Sequence, residues 1–219
     1  MEELNVFVSV GGTANEDQEA FVSAVEDRLR SEGIIPHTVG RNTFSSDAPL
    51  KAVTELMEQC SGAVVIALER FYYPKGIEKR GGPKAMNLEE VKLPTPFNQI
   101  EAAMAYTRGM PLLMIVEEGL QDKGLLERGY DWYVLYLEPV KASLNTPEFN
   151  GVLASWKRKI LKAIEETKKE KSINTADLTV GDLIKGLKTS QLWGLLAGLA
   201  ALAAGAFALG AKFFPGITP

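Results

Sequence analysis

The sequence predicts an α/β domain built on a doubly wound, five-stranded parallel sheet, followed by a helical stem and one transmembrane helix. Three observations point there. Over about the first 140 residues, short apolar runs alternate with amphipathic stretches, the pattern of a parallel sheet flanked by helices. One of those runs, Gly62 to Leu68 (GAVVIAL), is apolar enough to be buried on both faces. Near the C-terminus, Leu192 to Ala211 (LWGLLAGLAALAAGAFALGA) extends for 20 residues without a charged or strongly polar side chain.

Leu4 to Val10 (LNVFVSV) predicts the first strand, which ends in Gly11-Gly12-Thr13. A helix follows from about Glu16 to Arg30, with Phe21, Val25 and Leu29 on its buried face and a favourable Glu26/Arg30 pair on the other. Gly33 supplies the stop. Ile34 to Val39 predicts the second strand, Ala48 to Gln59 a helix, and Gly62 to Leu68 the third strand. From Glu69 to Pro96 the chain is rich in Gly, Pro and charge and predicts an irregular stretch, whose length points to a functional loop or an insertion. Phe97 to Arg108 predicts a helix stopped by Gly109, Pro111 to Val116 the fourth strand, and Tyr130 to Leu137 the fifth. Ser155 to Lys171 predicts a long charged helix, solvated on one side. In a flavodoxin-like sheet of this kind, ligands bind beyond the carboxyl ends of the strands where strand order reverses, so the loops after strands one, three and four form the candidate site.

Composition narrows the function. The chain has 219 residues, 46% hydrophobic and 24% charged, which excludes a disordered, collagen-like or disulfide-stapled protein. The net charge of −4 argues against a nucleic-acid partner. Cys60 is the single cysteine, which excludes an internal disulfide and fits a reducing cytoplasm. His37 is the single histidine, so histidine triads and multi-histidine metal sites are excluded, and no metal or other cofactor is expected. The charge is unevenly placed. Residues 1–156 hold 14 basic and 23 acidic side chains, whereas residues 157–219 hold 10 and 5.

A helix of 20 apolar residues spans roughly 30 Å, the thickness of a bilayer core. Trp193, Phe213 and Phe214 flank the run as interfacial aromatics, and Lys212 can snorkel outward. Nine cations from Lys157 to Lys188 precede it and only Lys212 follows. The positive-inside rule therefore predicts a single-pass protein of the cell inner membrane with its N-terminal domain in the cytoplasm. Met1 to Val10 opens with Glu2 and Glu3 and lacks the basic region of a signal peptide. The segment around Leu178 to Leu187 reads as an interfacial helix suited to membrane lipid. Gly194 and Gly198 form a G-x-x-x-G pair that would bring two copies into a homo-oligomer, although glycine is common in transmembrane helices for other reasons. The expected organisation is an α/β domain over 1–142, a helical stem and basic juxtamembrane segment over 143–189, a transmembrane helix over 190–214 and a tail over 215–219.

Few residues at the predicted strand ends carry chemistry. Ser9, Gly11, Gly12 and Thr13 follow strand one, where two glycines let a ligand approach the backbone and a helix N-terminus offers N–H groups to phosphate. A Gly-Gly turn also arises for purely steric reasons, and neither G-x-G-x-x-G nor a Walker motif is present. Glu101 lies near the start of the helix at the ligand edge, where the helix terminus is expected to stabilise its anion. An anionic glutamate facing a cleft can stabilise or attack an oxocarbenium-like centre, though an ordinary exposed helical glutamate has the same spacing. Phe44, Phe71, Tyr72, Phe97 and Tyr106 are candidates to stack a base, against the commoner role of aromatics in a core.

The segment FNQIEAAMAYTRGMPLLMIVEE resembles the part of nucleoside 2-deoxyribosyltransferases in which a nucleophilic glutamate is followed by small residues, a short helix, Gly-x-Pro and an apolar strand. CSGAVVIALER and NVFVSVGG resemble their third and first strands. The same architecture resembles Toll/interleukin-1 receptor (TIR) domains, whose bacterial and plant members include NAD-cleaving enzymes. Both resemblances cover roughly residues 4–138. They imply Glu101 as the catalytic carboxylate, with Ser9, Gly11 and Gly12 beside a ribose or phosphate. Where the deoxyribosyltransferases usually carry an aspartate before the glutamate, this chain has Pro94, Thr95, Pro96, Phe97 and Asn98, and Asn98 is placed to orient sugar hydroxyls. The Gly11-Gly12 loop is also faintly similar to the nucleotide-binding LOG/SLOG group.

The function these resemblances imply is a membrane-anchored effector that cleaves the N-glycosidic bond of a nucleotide ligand, NAD or a nucleoside derivative, as in bacterial antiviral or nucleotide-signalling defence. The alternative is a sensor without chemistry, whose transmembrane helix oligomerises and perturbs the membrane.

Overall fold

A computed structural model describes residues 3–172 and, beyond them, Trp193, Gly194, Ala197, Gly198 and Leu202. The chain divides into two compact units, 1–166 and 167–219. Within the first, the order of elements is β1 (Leu4–Val10), α1 (Glu16–Ser31), β2 (Ile34–His37), α2 (Pro49–Glu58), β3 (Ala63–Ala67), β4 (Phe71–Glu78), β5 (Met86–Leu93), α3 (Pro96–Thr107), β6 (Leu112–Glu117) and β7 (Tyr133–Leu137), and α4 (Pro147–Ser172) begins there. Five strands form one parallel sheet in the order β2-β1-β3-β6-β7, which is the flavodoxin-like order.

Strand alternation divides the core between the two faces of the sheet. Val6 and Val8 of β1, Val64 and Ile66 of β3, Leu113 and Ile115 of β6 and Leu135 of β7 pack with Phe21, Val22, Val25 and Leu29 of α1 and with Phe149, Leu153, Trp156 and Ile160 of α4. On the other face, Phe7 and Ala63 pack with Val53, Leu56 and Met57 of α2, while Val65, Ala67, Met114 and Val116 pack with Ala102 of α3 and with Leu120 and Leu126. Each face thus carries two helices, and the continuous apolar run of β3 is buried throughout. Local capping fixes the helix starts. The Asn15 side chain accepts from the Gln18 N–H at 2.9 Å, and Thr95 Oγ1 accepts from the Phe97 N–H at 3.4 Å.

The structure departs from the sequence expectation in four places. The stretch expected to be irregular holds an antiparallel hairpin, β4–β5, in register from Phe71 opposite Leu93 to Glu78 opposite Met86. Backbone pairing satisfies its N–H and C=O groups without a buried face, so no apolar alternation announces it. The second strand stops at His37 because the chain turns at once: the Thr38 carbonyl accepts from the N–H groups of Arg41, Asn42 and Thr43. The fifth strand begins only at Tyr133. The long helix begins at Pro147, eight residues before Ser155, with Thr146 Oγ1 accepting from the Phe149 N–H at 3.2 Å. Its early turns are core, since a Cβ on Gly62 would lie 2.7 Å from Ile160 Cδ1 and 3.3 Å from Trp156 Cζ2.

The turn after β2 is tied to α1 by charge. Arg41 binds both carboxylate oxygens of Glu19, and its Nε lies 2.9 Å from Glu26, whose side chain is 8% exposed. The Arg41 guanidinium, with the Thr13 hydroxyl, holds the Glu19 carboxyl down at about 2. Among the described residues no helix is long and apolar enough to cross a membrane. The expected span over 190–214 lies, apart from the residues named above, outside the described residues, as does the interfacial segment at 178–187.

Candidate functional site

The order β2-β1-β3 places the reversal point of the sheet between β1 and β3. Ser9 is on β1 there. It follows Phe7 by two residues and so faces α3, and it is 1% exposed. Asn98, in the first turn of α3 and also 1% exposed, donates Nδ2–H to Ser9 Oγ at 3.1 Å and to the Ile66 carbonyl of β3 at 3.4 Å. One amide therefore ties both strands of the reversal point to the helix.

Glu101 lies one turn further along α3 and is half-buried. Burial pushes its carboxyl above the ordinary glutamate range, and a hydrogen bond from the Ser9 hydroxyl acts in the opposite direction. The Asn98 amide can only donate through Nδ2, so Ser9 Oγ accepts from Asn98 and its own proton is free to point to Glu101. The expectation that the helix terminus stabilises the Glu101 anion is overturned: the residue sits beyond the first turn, where the dipole has faded, and desolvation dominates. A half-buried carboxylate with its pKa raised by burial, near a buried hydroxyl at a sheet reversal point, is the arrangement expected of a functional acid or base.

Beside this cluster is a small cavity, about 10 Å3, lined by Val10, Gly11, Gly12, Gln18, Leu68, Glu69, Arg70, Thr95 and Asn98. That is room for about one water. The sequence-predicted residues Gly11, Gly12 and Asn98 meet here; Ser9, Glu101, Phe44 and Phe97 do not line it, and the two aromatics are 79% and 48% exposed. Gly11 has a packing reason to be glycine, because a Cβ would lie 2.8 Å from Thr95 Cγ2, whereas a Cβ on Gly12 would meet nothing within 4 Å. Of the other candidate aromatics, Tyr106 lies edge-on to Trp132 at 5.1 Å and donates to Asp131, and Phe71 and Tyr72 belong to the hairpin.

Sequence reasoning missed Gln18, Glu69, Arg70 and Thr95. Arg70 Nη1–H donates to the Gly12 carbonyl at 3.1 Å, and both residues line the cavity. Gln18 accepts from the Ala14 N–H at 2.8 Å and donates to the Glu69 carbonyl at 3.0 Å. The Glu69 carboxylate pairs with Lys92 at 2.8 Å, and its N–H donates to Glu117 at 2.7 Å. Only the position of Glu69-Arg70 after the strongest strand pointed to them. Among the described residues no group of His, Cys, Asp and Glu is placed to hold a metal ion.

No protein-family model matches the chain, and no curated protein matches it. Among solved structures, the chain is similar to the TIR domains of the activated Roq1 resistosome directly recognizing the pathogen effector XopQ. The identity is 12%, 90% of this chain and 99% of that chain are covered, and the TM-score is 0.34. At that score the likeness carries no argument about ligand or chemistry.

Proposed function

We propose that the protein is a membrane-anchored effector that cleaves the N-glycosidic bond of NAD or a nucleoside derivative, with Glu101 as the catalytic carboxylate. The observation that carries this reading is the Asn98–Ser9–Glu101 cluster at the reversal point of the sheet. In the reaction the C1′–N bond breaks, its electron pair leaves with the base, and positive charge grows on the sugar ring. The ionised Glu101 carboxylate stabilises that centre or attacks it; water then adds at C1′, displacing the carboxylate where it had bonded, and its proton passes to the departed base or to solvent. Ser9 holds the carboxylate in place. Gly12 and Arg70 lie where the ribose or its phosphate would enter, and entry requires the Arg70–Gly12 bridge to open. Membrane anchoring rests on the apolar run from Leu192 to Ala211, and the defence role on the family resemblance.

Incubating the purified full chain with NAD and a panel of nucleosides tests the reading. Release of free base by the native chain and its loss, by a factor of about 100 or more, in Glu101→Gln is the expected result. Equal turnover by the two chains would refute it. The same panel reads the alternative, a sensor that binds a nucleotide and performs no chemistry. Nucleotide binding by both chains without any product would select it.

A further inference from the structure

The hairpin β4–β5 has no part in the chemistry proposed for Glu101, and its two faces differ. Residues opposite in the register share a face. Tyr72, Gly76 and Glu78 lie with Lys92, Leu88 and Met86 on one face, and Phe71, Tyr73, Lys75 and Ile77 with Leu93, Val91, Glu89 and Asn87 on the other. The first face makes ion pairs to the domain, Lys92 with Glu69 and Glu78 with Lys123 at 2.7 Å, while its Tyr72 and Met86 are 48% and 55% exposed. On the second, Lys75 and Glu89 make no ion pair among the described residues. On it Phe71 stacks on Tyr73 with ring centroids 6.5 Å apart, and these two and Ile77 are 42%, 48% and 53% exposed. An isolated two-stranded ribbon is marginally stable in water, so a bare aromatic face on one calls for a cover.

The tip adds charge. Lys79-Arg80-Gly81-Gly82-Pro83-Lys84 carries three exposed cations and no acid. Among the described residues Arg80 and Lys84 have no ion pair, and Lys79 has only Glu78 at 4.0 Å, which Lys123 already holds. Outside residues 71–93, residues 1–156 carry 9 basic and 20 acidic side chains, so the tip is a positive end on a negative body.

We propose that the hairpin is a membrane-surface arm, which lays Phe71, Tyr73 and Ile77 into the interface of an anionic bilayer and sets Lys79, Arg80 and Lys84 among its head groups. An acidic protein would meet the cations but leave the aromatic stripe against water; a lipid interface receives both. The negative body is repelled by the same surface, and at physiological salt charges more than about 8 Å apart act independently, so the tip alone is drawn in.

The test uses the full chain with Ala85→Cys, labelled with a solvatochromic maleimide. Native Cys60, whose thiol burial pushes up to about 12, reacts more slowly, and the unsubstituted chain carried through the same labelling is the blank. In nanodiscs rich in phosphatidylserine the emission should shift to the blue; in phosphatidylcholine alone, or at high salt, the shift should vanish. The triple variant Lys79→Gln, Arg80→Gln, Lys84→Gln, confined to exposed tip residues, should lose the shift with its far-ultraviolet spectrum unchanged. Unchanged emission in phosphatidylserine overturns the proposal. So does a shift that needs no anionic lipid and grows with protein concentration, which would make a second copy of the chain the occupant. The readout involves no cleavage, so Glu101→Gln leaves it unaltered.

Discussion

Ser9 shows how one hydroxyl can set the state of a neighbouring acid. It is buried, accepts from Asn98 and acts on Glu101, so removing it takes away an interaction that favours the Glu101 anion. In the proposed reaction the anion is the reactive form, so the rate should rise with pH through a midpoint above the ordinary glutamate value of 4.5. Ser9→Ala should move the midpoint higher still, with Asn98 keeping only the Ile66 carbonyl; a pH–rate profile, or a carbon-13 titration of Glu101, reads the shift. An unmoved midpoint would mean that Ser9 merely fills space. Glu101 and Asn98 were legible in the sequence because small residues follow them on one short helix and a Gly-x-Pro turn comes after its end. Arg70 and Thr95 were not, since a hydrogen bond across 58 positions to Gly12 brings in the first and close approach to Gly11 the second, and such contacts leave no local pattern. Phe44 shows the converse: an aromatic near a predicted ligand edge that the fold leaves 79% exposed.

At the scale of elements, the strands of the parallel sheet were legible to within a few residues because each is a run of apolar side chains buried on two faces. Two elements escaped for opposite reasons. The hairpin buries neither face fully, and carries Pro74 inside β4, so its composition reads as loop. The first turns of α4 contain Asn150 and Gly151, poor helix formers, yet Phe149, Leu153, Trp156 and Ile160 recur at helical spacing and hold the helix to the sheet. Trp156 is 3% exposed, donates its indole N–H to the Pro111 carbonyl at 2.9 Å and fills the space above Gly62. Trp156→Ala should therefore cost about 3–5 kcal/mol in urea unfolding. A loss below about 1 kcal/mol would show that α4 is dispensable to the domain.

For the whole molecule, the net charge of −4 is the sum of an acidic first part and a basic later part. The later part leads into the apolar run from Leu192 to Ala211, and the chain is expected to remain in the membrane pellet after alkaline carbonate extraction, which releases peripheral proteins. Release into the supernatant would remove the anchor from the proposed function without touching the chemistry assigned to Glu101. The hairpin also bears on the architecture as a whole. Its two ends meet, since the Arg70 N–H donates to the Leu93 carbonyl at 2.9 Å, while the sheet order β2-β1-β3-β6-β7 passes it by. A segment whose ends touch is a cassette: the gene can acquire, lose or exchange it by one in-frame event, and lineages carrying the same sheet are free to diverge there first.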